Sequence, residues 1–195
     1  MKQRIGHAVL VLLAGVLFPY VTILLLSLQN TADRNTGARW NVILENGKEM
    51  DGECYLMGIL ARRISADAPA PVRRAEAILA RTWLYTEMGE NRQVEEEQLG
   101  EYQWDAEWVR EQYGDGYIGI CQVYCQAIRE TAGETIWYDG ERAKVAFEKL
   151  EGGAESSGKS SYWLNQEEAA LLAGKGYDEQ QILEHFFEGI QIKTE

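Results

Sequence analysis

The sequence predicts an α+β domain behind one N-terminal transmembrane helix. Three observations carry that reading: an uncharged apolar run at the front of the chain, a dominance of helical spacing after it, and a few short strand signals that do not alternate regularly with the helices.

Lys2 and Arg4 precede the run Ile5 to Leu28, which holds no charge and is broken only by His7, Thr22 and Ser27 as clearly polar residues. A run of that length crosses a bilayer. A cleavable signal has a shorter apolar region and a small-x-small exit, whereas this one leaves through Leu26-Ser27-Leu28-Gln29-Asn30, so the reading is an uncleaved anchor. Pro19 is tolerated inside a membrane helix. Positive residues ahead of the run favour an inside N-terminus. The expected organisation is therefore a cytoplasmic 1–4, an anchor 5–28, a linker 29–39 and an extracytoplasmic domain 40–195 in the cell membrane.

The remaining elements follow in order. Trp40 to Glu45 reads as a strand turning at Asn46-Gly47. Asp51-Gly52 starts a helix to Arg63 with Tyr55, Leu56, Ile59 and Leu60 at helical spacing. Pro71 suits the first turn of a second helix to Met88, where its missing N–H is no loss, and Val72, Ala75, Ile78, Leu79 and Thr82 line one face. Further helices are expected over Asp105 to Tyr113, Gly116 to Ala132, Asn165 to Ala173 and Asp178 to Phe187, the last two opened by Asn165-x-x-Glu168 and Asp178-x-x-Gln181 boxes. Thr135 to Tyr138 and Arg142 to Phe147 form a hairpin across Asp139-Gly140. The acidic run Val94 to Glu101 reads as a solvated loop, and the Gly/Ser run Gly152 to Ser161 as a flexible one without the spacing of a phosphate cradle.

All 31 Asp and Glu residues follow residue 30, with 17 of the 19 Lys and Arg, so the outer part carries 17 minus 31, or −14. Nucleic acid and anionic wall polymers are repelled by such a surface, while a neutral glycan strand or a basic protein is less hindered. Three cysteines are present: Cys54, and Cys121 and Cys125 four apart on one helical face. Buried free thiols are the default. A disulfide within one helix would be strained, so any bond formed outside the cell would join Cys54 to one of the pair. With only His7 and His185 besides, metal ligands are scarce, and neither metal nor cofactor is expected.

The words Tyr55-Leu56-Met57-Gly58-Ile59-Leu60-Ala61 and Ala75-Glu76-Ala77-Ile78-Leu79-Ala80-Arg81-Thr82 resemble the signature of the stage II sporulation protein D and LytB amidase-enhancer family. That signature reads roughly Y-L-x-G-V-V-A-x-E-M-P, a short loop, then E-A-L-K-A-Q-A-V-A-A-R-T. Ala127 to Tyr138, Leu164-Asn165-Gln166, Ala169 to Gly176 and Ile182 to Phe187 are similar to its later pieces, in the same order. The resemblance implies an α+β SpoIID/LytB-like domain acting at peptidoglycan, with glycan strands, a wall amidase or another sporulation membrane protein as partners.

Two departures from the pattern bear on chemistry. Counting back without a gap from Arg81-Thr82, the family's catalytic glutamate falls on Arg63. A guanidinium stays protonated at physiological pH and cannot serve as general acid and base. Arg63 could instead hold a glycan N-acetyl oxygen or a peptide carboxylate, or be an exposed helix-end arginine favouring the C-terminal dipole; Gln166 is a second candidate for substrate binding. Asp67 in the loop and Glu76, where the family usually has glutamine, are the carboxylates that could replace the lost acid; the plainer reading is that both are solvated. Secondly, the chain turns from Val145-Ala146-Phe147 through Gly152-Gly153-Ala154-Glu155 directly to the C-terminal helices, which implies a shallower groove than in larger members. Cys121-Gln122-Val123-Tyr124 is close to a C-Q-x-Y word of some members, without the preceding histidine. Trp104, Trp108, Trp137 and Trp163 could stack on sugar rings if exposed together, though core positions are commoner for such residues.

The function expected from these readings is a membrane-anchored, degenerate binding or amidase-regulating module. The alternative is a lytic transglycosylase-type hydrolase with a displaced carboxylate.

Overall fold

The computed structural model describes residues 40–102, 106–145 and 164–195. The expected anchor 5–28, the linker, the Gly/Ser run, Trp104 and Trp163 lie outside the described residues. No helix among the described residues is long and apolar enough to cross a membrane.

The domain is α+β. Strands β1 (Asn41–Ile43) and β2 (Glu49–Asp51) form a hairpin, then helices α1 (Gly52–Arg63) and α2 (Ala70–Met88) lead to β3 (Gln93–Glu95). Helices α3 (Ala106–Tyr113) and α4 (Tyr117–Glu130) follow, then the hairpin β4 (Glu134–Tyr138) and β5 (Glu141–Arg142). Helices α5 (Gln166–Gly174) and α6 (Glu179–Phe186) and strand β6 (Gln191–Thr194) complete the chain. The strands make two three-stranded sheets, β2-β1-β3 and β5-β4-β6.

Local sequence explains most boundaries. Asp51 caps α1 by accepting from the Glu53 N–H, and the missing N–H of Pro71 falls in the first turn of α2, where no helical partner is lost. Asp139 and Gly140 both have positive φ, the geometry a two-residue hairpin turn of this hand requires, and Gly supplies it without strain. Asp178 and Gln181 close a reciprocal capping box on α6. The matching box on α5 forms only half: Asn165 accepts from Glu167 and Glu168 N–H, but the Glu168 carboxylate turns to His185 on α6 at 3.1 Å.

Helix α2 is the axis of the fold. The expected single apolar face is instead a nearly complete buried ring, Ala75 through Thr82 without a break, because α1, α4, α5, α6 and β4 all pack around it. Small Ala75, Ala77 and Ala80 let those neighbours approach, and Ile78, Leu79 and Leu84 fill the spaces between.

Three expectations need correction. The acidic run is not a solvated loop: Gln93–Glu95 adds to β1 as a parallel strand with Val94 beside Val42, and Val94, Glu96 and Leu99 are buried. Glu96 tolerates burial because the Tyr55 hydroxyl and the Glu45 N–H each donate to it, both at 3.1 Å. Strands β2 and β6 were not foreseen, being short and mostly polar; each is held by ladder bonds to a more apolar neighbour. Finally, the cysteines are not buried thiols. Cys54 is exposed on α1, and Cys121 and Cys125 are half-buried on α4.

Candidate functional site

Arg63, Glu76 and Gln166 come from three elements and meet. Arg63 ends α1, Glu76 lies in the second turn of α2, and Gln166 opens α5. Arg63 Nε donates to Glu76 Oε2 at 3.2 Å and Nη2 to the same oxygen at 3.1 Å, with Oε1 at 3.5 Å. The Gln166 amide Nε2 donates to Glu76 Oε1 at 3.1 Å and to the Arg63 carbonyl at 2.6 Å. The Arg63 side chain is 8% exposed and that of Glu76 0%. Arg63 is thus neither a solvated helix-end cation nor Glu76 a solvated helix-surface acid, because each satisfies the other inside the protein. Burial pushes the Glu76 carboxyl above its ordinary range, while Arg63 and Gln166 pull it partly back. Asp67 stays exposed in the loop between α1 and α2, apart from this network.

The position of Arg63 is set by how α1 ends. Its last carbonyls lack helical partners, and side chains from three other helices supply them. Tyr113 of α3 donates to the Ala61 carbonyl at 3.1 Å, Tyr124 of α4 to the Ile64 carbonyl at 2.6 Å, and Gln166 of α5 to the Arg63 carbonyl. Tyr124 is fully buried, and burial with the neighbouring Tyr113 hydroxyl pushes its phenol well above the usual range. The two tyrosines escaped sequence reading. The word Cys121-Gln122-Val123-Tyr124 was the available signal, and it is the tyrosine, not the cysteine, that reaches the site.

A second network explains Arg81-Thr82. Arg81 is fully buried and donates to Glu53 Oε1 and Oε2 at 2.5 and 2.8 Å, to the Ile128 and Glu134 carbonyls at 3.0 and 3.2 Å, and to Thr131 Oγ1 at 3.3 Å. Tyr85 adds its hydroxyl to Glu53 Oε1 at 2.8 Å. Thr82 Oγ1 donates to the Ile78 carbonyl and accepts from the Ile136 N–H at 2.9 Å, which ties α2 to β4. These groups join α1, α2, α4 and β4, and their role is architectural.

Residues 43–138 match the family model for SpoIID, stage II sporulation protein. The chain carries a SpoIID-family domain. The match covers Arg63, Glu76 and both tyrosines at the end of α1, and stops before Gln166. It ties the SpoIID domain to sporulation and the cell wall. No curated protein matches the chain. Among the described residues, no three His, Cys, Asp or Glu side chains lie together as metal ligands. Of the four tryptophans considered for sugar stacking, only Trp137 has a described side chain; it is half-buried on β4.

Proposed function

We propose that this SpoIID domain works at peptidoglycan as a membrane-anchored binding or amidase-regulating module that no longer cleaves glycan. The observation that carries the reading is the buried Arg63–Glu76 pair. The position that the family resemblance gives to a catalytic glutamate holds a cation, and the adjacent carboxylate is committed to it. A general acid must reach the scissile oxygen at hydrogen-bond distance. Glu76 has no exposed surface, and both of its oxygens already accept hydrogen bonds. Arg63 and Gln166 turn donors inward to Glu76 and to backbone, so they hold α1, α2 and α5 together at this point. Partners fitting this reading are glycan strands, a wall amidase or another sporulation membrane protein, with the N-terminal run holding the domain outside the cell membrane.

One observation favours the second reading, an active hydrolase: Glu76 is a carboxyl of raised pKa beside Arg63, a pattern found in general acids. Incubating the full chain in detergent with denuded glycan strands, followed by mass analysis for anhydro-muramyl ends, separates the two. Silence from the wild type, with strand binding retained by sedimentation, is the expected result. Cleavage by the wild type that vanishes in Glu76→Gln or Asp67→Asn would overturn the proposal and identify the displaced acid.

A further inference from the structure

Arg73 departs from the pattern set by four other arginines of the domain. Arg63, Arg81 and Arg142 each lay the Nε–Nη2 edge of the guanidinium on a carboxylate, that of Glu76, Glu53 and Glu195 respectively, and Arg74 sets its Nε on Glu179. Arg73, in the first turn of α2, bonds through Nη1 alone, to the Ala66 carbonyl at 2.8 Å and to the Ala68 carbonyl. Its Nε is buried without a partner, and nothing among the described residues takes a bond from Nη2 on the same edge. A buried N–H with no acceptor is rare and costly in a folded protein, and this is the edge whose two parallel donors match a carboxylate.

Acids of the described residues do not fill that edge. Glu130, which feels the Arg73 charge, is paired with Arg74 at 3.1 Å. Asp67, exposed in the 64–69 loop, makes no ion pair with Arg73. Helix α2 opens at Ala70 with no side-chain cap and no acidic residue in its first turn, so its positive end adds to the guanidinium charge. We infer that the Nε–Nη2 edge of Arg73 binds a carboxylate of peptidoglycan, carried by a stem peptide or by the lactyl arm of a muramyl residue freed of its peptide. The inference rests on the proposed work at peptidoglycan and names the group recognised there. A net charge of −14 repels anions from the outer part as a whole, so a carboxylate is retained only where a cationic donor edge stands open. Arg73 is half-buried, so the ligand meets Nη2 from solvent. The 64–69 loop, in no helix or strand and tied to Nη1 by two carbonyls, yields for the second oxygen to reach Nε.

Arginine Nε–H resonances of the full chain, isotopically labelled at nitrogen and held in detergent, are followed while a stem pentapeptide, N-acetylmuramic acid, the carboxamide form of each, or sodium acetate is added. Arg73→Lys, with unchanged circular dichroism, assigns the Arg73 signal. Expected is a saturable shift of that signal with the pentapeptide or with N-acetylmuramic acid, and none with the carboxamides. A shift with the peptide alone assigns the group to stem peptides, and one with the muramyl acid alone assigns it to strands stripped of them. Equilibrium dialysis should show Arg73→Lys holding the same ligand at least about tenfold more weakly, since one ammonium cannot supply the two-pronged bond. An equal shift with acetate at equal concentration means an adventitious ion only and overturns the inference, as does a signal that ignores every ligand or answers the carboxamides. Sedimentation with denuded strands, run beside it, reports the proposed function separately. Strands bound by a chain whose Arg73 signal never moves overturn the carboxylate site and leave that function standing; a carboxylate-dependent shift without strand sedimentation keeps the site and overturns strand binding.

Discussion

Replacing Arg63 by methionine keeps much of the side-chain volume and removes only the cation, leaving the fully buried Glu76 with the Gln166 amide as its remaining described donor. Removing one member of a buried ion pair costs about 3–5 kcal/mol, because the abandoned charge stays desolvated. At a urea slope of about 2 kcal/mol per M, that lowers the unfolding midpoint by roughly 2 M. The loss must depend on pH in one direction. A carboxyl whose folded pKa lies above its unfolded value of 4.5 binds its proton more tightly when folded, so it favours folding below 4.5 and loses that contribution as pH rises through the folded value. Without Arg63 the folded value climbs further and the window widens upward. Urea unfolding of Arg63→Met at acidic and neutral pH should therefore show a small deficit below about pH 4.5 and the full one near neutrality. Arg63→Met with Glu76→Met should recover most of it, since an apolar pair of similar volume replaces a buried ion pair at little cost. A deficit under about 1 kcal/mol at neutral pH, or one that ignores pH, would show that the pair is solvated and refute the reasoning.

Two further substitutions probe the frame around the site. Arg81→Lys cannot span Glu53, Thr131 and the Ile128 and Glu134 carbonyls with one ammonium, so it should cost about 3–5 kcal/mol by denaturant unfolding. Tyr124→Phe strips the Ile64 carbonyl of its donor and should cost about 1–3 kcal/mol. It should also remove one late-titrating phenol from an alkaline absorbance titration, leaving that of Tyr85, which is likewise raised by burial and by Glu53.

Local signals made the helices legible. Asp51, Pro71, Asn165 and Asp178 mark real starts, and the first two helices run nearly as their spacing predicts. What sequence could not show was decided by tertiary contact. The polarity of Gln93-Val94-Glu95 concealed a strand, since one buried valine beside Val42 and a parallel ladder suffice to place it. Arg63 and Glu76 each looked solvated when considered alone. Thirteen residues separate them, and only the helix packing that brings the end of α1 against the second turn of α2 reveals that each explains the other's burial. Gln166 was singled out, but its double donation depends on the placement of α5 across the fold.

The family words that survive in this chain are scaffold words. Arg81-Thr82 ties four elements through buried hydrogen bonds, and Tyr55 anchors the chain beyond β3 through Glu96. Substituting either strands several polar groups inside the protein, so these positions carry a stability cost whatever the groove does. At position 63 the backbone carbonyl is held by Gln166, and a different side chain leaves that bond in place. The side chain at 63 is coupled instead to position 76, and a cation at one is matched by an anion at the other where the family resemblance gives glutamate and glutamine. Reversing the exchange therefore requires both changes. Arg63→Glu alone would place two carboxylates within contact distance in a buried site, where one must take up a proton. Arg63→Glu with Glu76→Gln restores a single acid facing an amide. Glycan cleavage gained by the double variant and not by the single one would mean that the groove kept its shape while its chemistry was exchanged for an ion pair.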